Sequence, residues 1–227
     1  MKKLIYALGV LLVSCSCINI TVGGGSGIRC KGPVVVKTME GLSDFTGIVA
    51  NGSADIFFAQ ADSFSVKVTA NEEVFEHLNY RVEDGVLIIG TKDNKPIRAE
   101  KYDVSVTLPL LEAITVNGAS DVKQMGEYKA DNNLTVSVNG AGDLNLDYVS
   151  VPVLSFTLNG ASDLRAKDLD VQELKIGING AGDAVLAGKA DKAHFSVNGA
   201  GDIDARGLVC GEVTTHKAGA ARIQLSK

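Results

Sequence analysis

Residues 136–146 read VSVNGAGDLNL. An alternating strand runs into Asn139–Gly140–Ala141–Gly142–Asp143, and a second alternating strand leaves it. The pentapeptide recurs as NGSAD at 51–55, NGASD at 117–121 and 159–163, and NGAGD at 179–183 and 198–202. From Asn117 onward the asparagines are spaced 22, 20, 20 and 19 residues apart. One more step reaches AGAAR at 218–222, a degenerate seventh copy that loses Asn and Asp and reads as a terminal, capping turn. A period near 20 is the signature of a solenoid. The 66 residues from Asn51 to Asn117 leave room for about three longer turns of the same kind.

The residues between the motifs define each turn. Before the Asn, Val136 and Val138, Phe156 and Leu158, Ile176 and Ile178, and Phe195 and Val197 share one face. After the Asp, Leu144 and Leu146, Leu164 and Ala166, Ala184 and Leu186, and Ile203 and Ala205 continue the apolar series. A third segment follows, with Val149 and Val151, Leu169 and Val171, and Leu208 and Cys210 in step. Period-two patterning in such short segments means strands with one buried face. Three per repeat, too short to stand alone, must stack turn on turn. The expected fold is all-β, a right-handed parallel β-helix with about 20 residues and three short strands per turn, its hand set by the usual chirality of parallel crossovers. A propeller blade needs about 40 residues, twice this period. Residues 71–79 (NEEVFEHLN) read as the one helix, with Asn71 as N-cap.

The pentapeptide is then a corner. Gly118, Gly140, Gly160, Gly180 and Gly199 supply a turn position, and the small third residue is expected to point into the corner. Asn51, Asn117, Asn139, Asn159, Asn179 and Asn198 can bond amide to amide up the stack, as in cross-β ladders. Asp121, Asp143, Asp163, Asp183 and Asp202 pose a harder question. At a strand spacing of about 4.8 Å, neighbouring carboxylates repel by about 1 kcal/mol even in water. Two readings offset this: each carboxylate caps backbone N–H groups at its own turn, or the column holds cations such as Ca²⁺. Arg222 would add a favourable charge at its end. A second candidate surface is the outward strip of Thr135, Ser137, Ser155, Thr157, His194 and Ser196, flat, small and mostly uncharged.

Ahead of the repeat, MKKLIYALGVLLVSCSC carries two lysines, an apolar run from Leu4 to Val13 and a cysteine. The run spans about ten residues where a membrane span needs about twenty, so it reads as an export signal. Leu12–Val13–Ser14–Cys15 resembles a bacterial lipobox, which makes residues 1–14 a lipoprotein signal peptide and Cys15 the lipidated N-terminus. Residues 15–36, with GGGSG at 23–27, are expected to form a flexible tether, and residues 37–227 a single domain. Cys30 and Cys210 remain, without a CxxC or a neighbouring His, so no metal or redox site is indicated; they are free or joined to each other. The net charge of −5 becomes −7 without Lys2 and Lys3, and the basic stripe that nucleic acid requires is missing.

The stretches SDFTGIVANGSAD (43–55), EDGVLIIGTK (83–92) and VSVTLPLLEAI (104–114), followed by the glycine-rich turns, resemble the bacterial auto-transporter adhesin head family, the GIN domain. The likeness spans roughly 40–225 and departs from the pattern at 218–222. It implies a pectin-lyase-like β-helix, a GIN-type domain over 37–227, no cofactor and no catalytic residue. The expected function is that of an exported cell-envelope lipoprotein with an adhesin-like, non-catalytic binding or self-association role. Its partners would be the membrane through the lipid anchor, and a surface protein, a glycan or a second copy. The address would be the outer membrane, facing the periplasm or the outside. The alternative is a carbohydrate-active or carbohydrate-binding β-helix. Such chemistry needs paired carboxylates in a groove, whereas the Asp column is evenly spaced and His77, His194 and His216 are scattered.

Overall fold

A computed structural model describes residues 27–226. The chain coils into a β-solenoid of about six turns. From residue 113 onward every strand pairing is parallel, and each coil lies directly on the one before. Ile114, Val136, Phe156, Ile176 and Phe195 form one inward column and Val116, Val138, Leu158, Ile178 and Val197 the next; all are buried. The second face contributes Leu144, Leu164, Ala184 and Ile203, the third Val149 and Leu169, also buried. The later coils are nearly continuous strands, Leu164–Gly180, Ala184–Gly199 and Asp202–Gly219, that bend between faces with register shifts between Ala166 and Leu169 and between Val185 and Ala187.

The first part of the domain differs from the expectation. Asn117 sits directly beside Asn51, so residues 52–116 add no step to that column and are not three further turns of the same kind. They fold around the start of the stack instead. Val86–Thr91 and Tyr102–Leu108 run parallel to Gly47–Gly52 and Asp55–Gln60 on the side away from the later coils, so a segment later in sequence lies beneath an earlier one. Onto this base, Leu78–Glu83 and Ser65–Asn71 add antiparallel strands. Turn chemistry explains the change: Asp84–Gly85 with φ of 50° and 74° is a two-residue hairpin connection, which reverses the strand instead of continuing the coil.

Two further expectations change here. Residues 28–36 are not loose: Ile28–Arg29 pairs with Ile97–Arg98, and Val34–Thr38 pairs antiparallel with Ser65–Asn71. A buried Cys30 lies between them, so apolar contacts outweigh the glycine-rich stretch that precedes them. The helix is a single 3₁₀ stretch, Glu72–His77, which Asn71 does not cap. The buried Asn71 side chain instead accepts the N–H groups of Glu100 and Lys101 at 2.9 and 3.0 Å and donates to Gly32 O at 2.9 Å. Cys30 and Cys210 are both free thiols.

Both ends of the stack are managed. At the start, the buried Tyr128 hydroxyl donates to Leu111 O and accepts Leu111 N–H, and its ring meets Phe58 edge-on at 6.3 Å. The Gln60 carboxamide donates to Lys129 O and accepts Lys129 N–H, pairing a short edge strand in place of another chain segment. At the finish, Thr215 and Lys217 stand opposite the buried Phe195 and Val197 but are themselves exposed. Polar residues at core register end the stack and discourage pairing with another sheet edge.

Candidate functional site

The pentapeptide corners stack with matching residues in register. Asn117 Nδ2 donates to Asn51 Oδ1 at 3.0 Å, Asn139 to Asn117 at 2.9 Å and Asn159 to Asn139 at 2.8 Å. Asn179 donates to Asn159 at 2.9 Å and Asn198 to Asn179 at 3.0 Å. All six amides thus form one chain pointing one way. Each interior amide makes two bonds, and the end amides, Asn51 and Asn198, make one within the column. Gly160 shows why the next position is fixed: its φ is +129°, and an added Cβ would lie 2.1 Å from Gly140 O. Gly118, Gly140, Gly180 and Gly199 meet the coil before them in the same way.

The third motif residue does not point into the corner. Ala119, Ala141, Ala161, Ala181 and Ala200 are exposed, whereas the fourth residues Ala54, Ser120 and Ser162 are buried. One residue of phase separates the two readings. The turn at the glycine delays the return to inward alternation.

The carboxylates cap the next coil rather than their own. Asp121 N–H donates to Asp55 Oδ1 at 3.2 Å and Asp143 N–H to Asp121 Oδ1 at 2.8 Å. Further up, Asp183 N–H donates to Asp163 Oδ1 and Asp202 N–H to Asp183 Oδ1, each at 2.9 Å, and Arg222 N–H to Asp202 Oδ1 at 3.0 Å. In the other direction Val122, Leu144 and Leu164 N–H donate to the carbonyls of Asp143, Asp163 and Asp183, each at 2.8 Å. Asp121, Asp163, Asp183 and Asp202 therefore tie their coils to both neighbours, whereas Asp143, among the described residues, bonds only to the coil before it, and bonds from N–H to a charged acceptor offset the like-charge repulsion. Arg222 Nη1 stands 4.0 Å from Asp202 Oδ2 with both groups exposed, a pair worth little. Among the described residues, no group of three or more His, Cys, Asp or Glu side chains is placed to hold a metal ion. Asp143, Asp163 and Asp183 share a shallow hollow of about 230 Å³ with Arg165.

The outward strip is in register too. Thr115, Ser137, Thr157, Gly177, Ser196 and His216 form one column, and Thr135, Ser155, Lys175, His194 and Thr214 the other. It carries charge that the short residue set did not reveal. Glu173 accepts from Lys175 Nζ at 2.9 Å and lies 3.2 Å from His194 Nε2, and Lys175 above all holds its carboxyl below the usual range. His77 closes the 3₁₀ stretch, far from His194 in the sequence.

Sequence reading missed a pair of clefts at the start of both columns, beside residues 91–103. One, of about 440 Å³, is lined by Asn51, Thr91, Asn94, Lys95, Tyr102 and Asn117 among others. The other, of about 410 Å³, is lined by Asp55, Arg98, Glu100, Lys101 and Asp103. Ser53, whose hydroxyl donates to Ile97 O at 3.2 Å, lines both. Burial raises the Asp55 carboxyl, and Lys101 pairs with Asp103 at 2.7 Å. The Tyr80 and Tyr102 hydroxyls meet at 2.9 Å; burial pushes Tyr102 up to about 12 and Tyr80 well above its ordinary value. The clefts offer donors and acceptors but no Ser–His–Asp arrangement. The positive-φ Asp93–Asn94 that shapes the loop was the one signal in the sequence.

A family profile described as "Putative auto-transporter adhesin, head GIN domain" matches residues 44–227. The chain belongs to that family. A comparison with curated proteins returns no match. Solved structures share the fold of this GIN domain. A "putative adhesin" of Parabacteroides distasonis is 22% identical with a TM-score of 0.76, covering 88% of this chain and 84% of its own. A "putative adhesin" of Parabacteroides merdae is 20% identical at TM-score 0.72, covering 89% and 100%. A "putative lipid binding protein" of Parabacteroides distasonis is also 20% identical at TM-score 0.72, covering 88% and 99%. Cys15, the expected lipidation site of this GIN protein, lies outside the described residues.

Proposed function

We propose that the chain is an exported lipoprotein, anchored to the outer membrane through Cys15, whose GIN domain binds a partner at the cell envelope without catalysis. The observation that carries this reading is the use of the repeat's side chains. The asparagines and aspartates are engaged in joining coils, leaving regular outer faces suited to contact rather than to reaction. Membership of an adhesin-head family and adhesin-named neighbours support the same role.

Two experiments test it. Palmitate labelling and membrane retention should both be lost in Cys15→Ser; retention of label in that variant would refute the anchor. The purified chain should bind a bacterial or host surface, or itself, and leave a panel of polysaccharides intact. Depolymerisation of any of them would replace adhesion with carbohydrate chemistry. The clefts, which offer Asn51, Asn94, Lys95, Asn117 and Arg98 as donors, favour a second reading, carbohydrate binding at the start of the columns. Lys95→Ala and Asn94→Ala should abolish binding under that reading. They should leave binding untouched if the outward strip is the contact.

A further inference from the structure

All six asparagines of the column are followed by glycine, at 52, 118, 140, 160, 180 and 199. Asn–Gly is the dipeptide whose geometry least hinders attack of the backbone on the side chain, because glycine presents no Cβ. The Gly nitrogen adds to Asn Cγ, the C–N bond to the amide nitrogen breaks, and ammonia leaves, closing a five-membered succinimide. Water then opens either carbonyl to give aspartate or isoaspartate. The balance is one water consumed and one ammonia released, without an oxidant.

In the folded protein the side chain must first leave the ladder. Interior amides must break two hydrogen bonds, for instance Asn159, which donates to Asn139 at 2.8 Å and accepts from Asn179 at 2.9 Å. The end amides need break only one such bond: Asn198 donates to Asn179, and Asn51 accepts from Asn117, both at 3.0 Å. The ends also differ. Asn51 lines a cleft with Thr91 and Lys95. Asn198 faces Ala218 of the last coil, which has no amide to offer and whose Thr215 and Lys217 are exposed where earlier coils are buried. That coil opens at lower cost than the ones beneath it.

We propose that Asn198–Gly199 is the deamidation site of this protein, with Asn51–Gly52 second and the four interior asparagines shielded by the ladder. The product is damaging at this position. A new carboxylate joins a corner already lined by Asp183 and Asp202. Isoaspartate lengthens the backbone beside Gly199, where even an added Cβ would sit 2.1 Å from Gly180 O. The last coil is then released first.

The test is peptide mapping for isoaspartate after incubating the intact purified chain at mildly alkaline pH. One hydrogen bond fewer makes Asn198 about 3- to 10-fold faster than the interior sites. In urea the six sites should converge, since their local sequences are nearly the same. Ala218→Asn extends the ladder by one amide and should slow Asn198 while moving the fastest site to residue 218. Equal rates at all six sites in the folded chain, the same ranking in urea, or an Asn198 rate unchanged by Ala218→Asn would each overturn the proposal. Neither result depends on whether the protein binds a partner.

Discussion

The coils after residue 113 and the base before it obey different rules. In the coils, one residue type at one register position meets its own copy above and below, so a single interaction is repeated and each coil depends on its neighbours. In the base, contacts are individual: Asn71 joins Gly32 to Glu100 and Lys101, Gln60 completes the strand edge at Lys129, and Leu111 is held by Tyr128 of the first coil above. The lesson is that repetition spreads stability over many modest bonds, while an end must be closed by a few side chains that have no substitute.

Substitutions sharpen this contrast. The largest effect is expected at Gly160→Ala, where the positive φ and the backbone of Gly140 oppose the new Cβ together. The sum of an unfavourable left-handed backbone and overpacking is about 2–5 kcal/mol, read as a large fall in the urea midpoint. Gly85→Ala in the base also has positive φ but open space, so only the backbone penalty of about 1–2 kcal/mol applies. Equal losses would show that the close approach between coils is irrelevant.

Next come the asparagines. Asn71→Ala leaves the N–H groups of Glu100 and Lys101 without their side-chain partner at a part-buried position, for a loss of about 2–4 kcal/mol. Asn159→Ala breaks two ladder bonds at a more accessible corner and should cost only about 1 kcal/mol. A reversed order would break the account of the ladder as many modest bonds.

The smallest effects are pH-dependent and of opposite sign in the two regions. Burial raises the Asp55 carboxyl in the base from 3.8. The folded state therefore binds that proton more tightly, and the ionised group detracts from stability once the pH passes its folded value. Asp55→Asn keeps an oxygen for Asp121 N–H and should raise the midpoint slightly at neutral pH, with no gain below 3.8. In the coils, hydrogen bonds from Arg206 hold Asp204 down to about 2. Its contribution is present above 3.8 and disappears as the pH falls to about 2, so Asp204→Asn should lower the midpoint slightly at neutral pH and not at pH 2.

The same contrast explains what could be read from the sequence. Alternation in 134–146, 154–166, 174–186 and 193–205 places the buried residues of the coils on the correct faces, because a strand with one buried face allows no other phase. The base was illegible because its strands pair with partners far away in the chain, some antiparallel, and local pattern carries no record of partner or direction. Asn71 looked like a helix cap because its chemistry suits one, yet tertiary partners claimed it. At the corner, residue type was readable but phase was not: the positive-φ glycine shifts the inward position from Ala141 to its successor. The clefts are formed by segments 51–55 and 91–103, which meet only after folding.

The aspartate column carries the central claim, that the corner is architecture and that its carboxylates act as acceptors between coils. Asp183 accepts Asp202 N–H at 2.9 Å through one oxygen, which an asparagine also supplies. Urea unfolding of Asp183→Asn and Asp183→Ala, each with Ca²⁺ and with chelator, tests this directly. The account predicts that Asp183→Asn matches the unsubstituted chain, that Asp183→Ala loses about 1–2 kcal/mol, and that Ca²⁺ shifts none of the midpoints. An Asp183→Asn variant as weak as Asp183→Ala, or a midpoint of the unsubstituted chain that rises with Ca²⁺, would contradict it and make the column a site of charge chemistry.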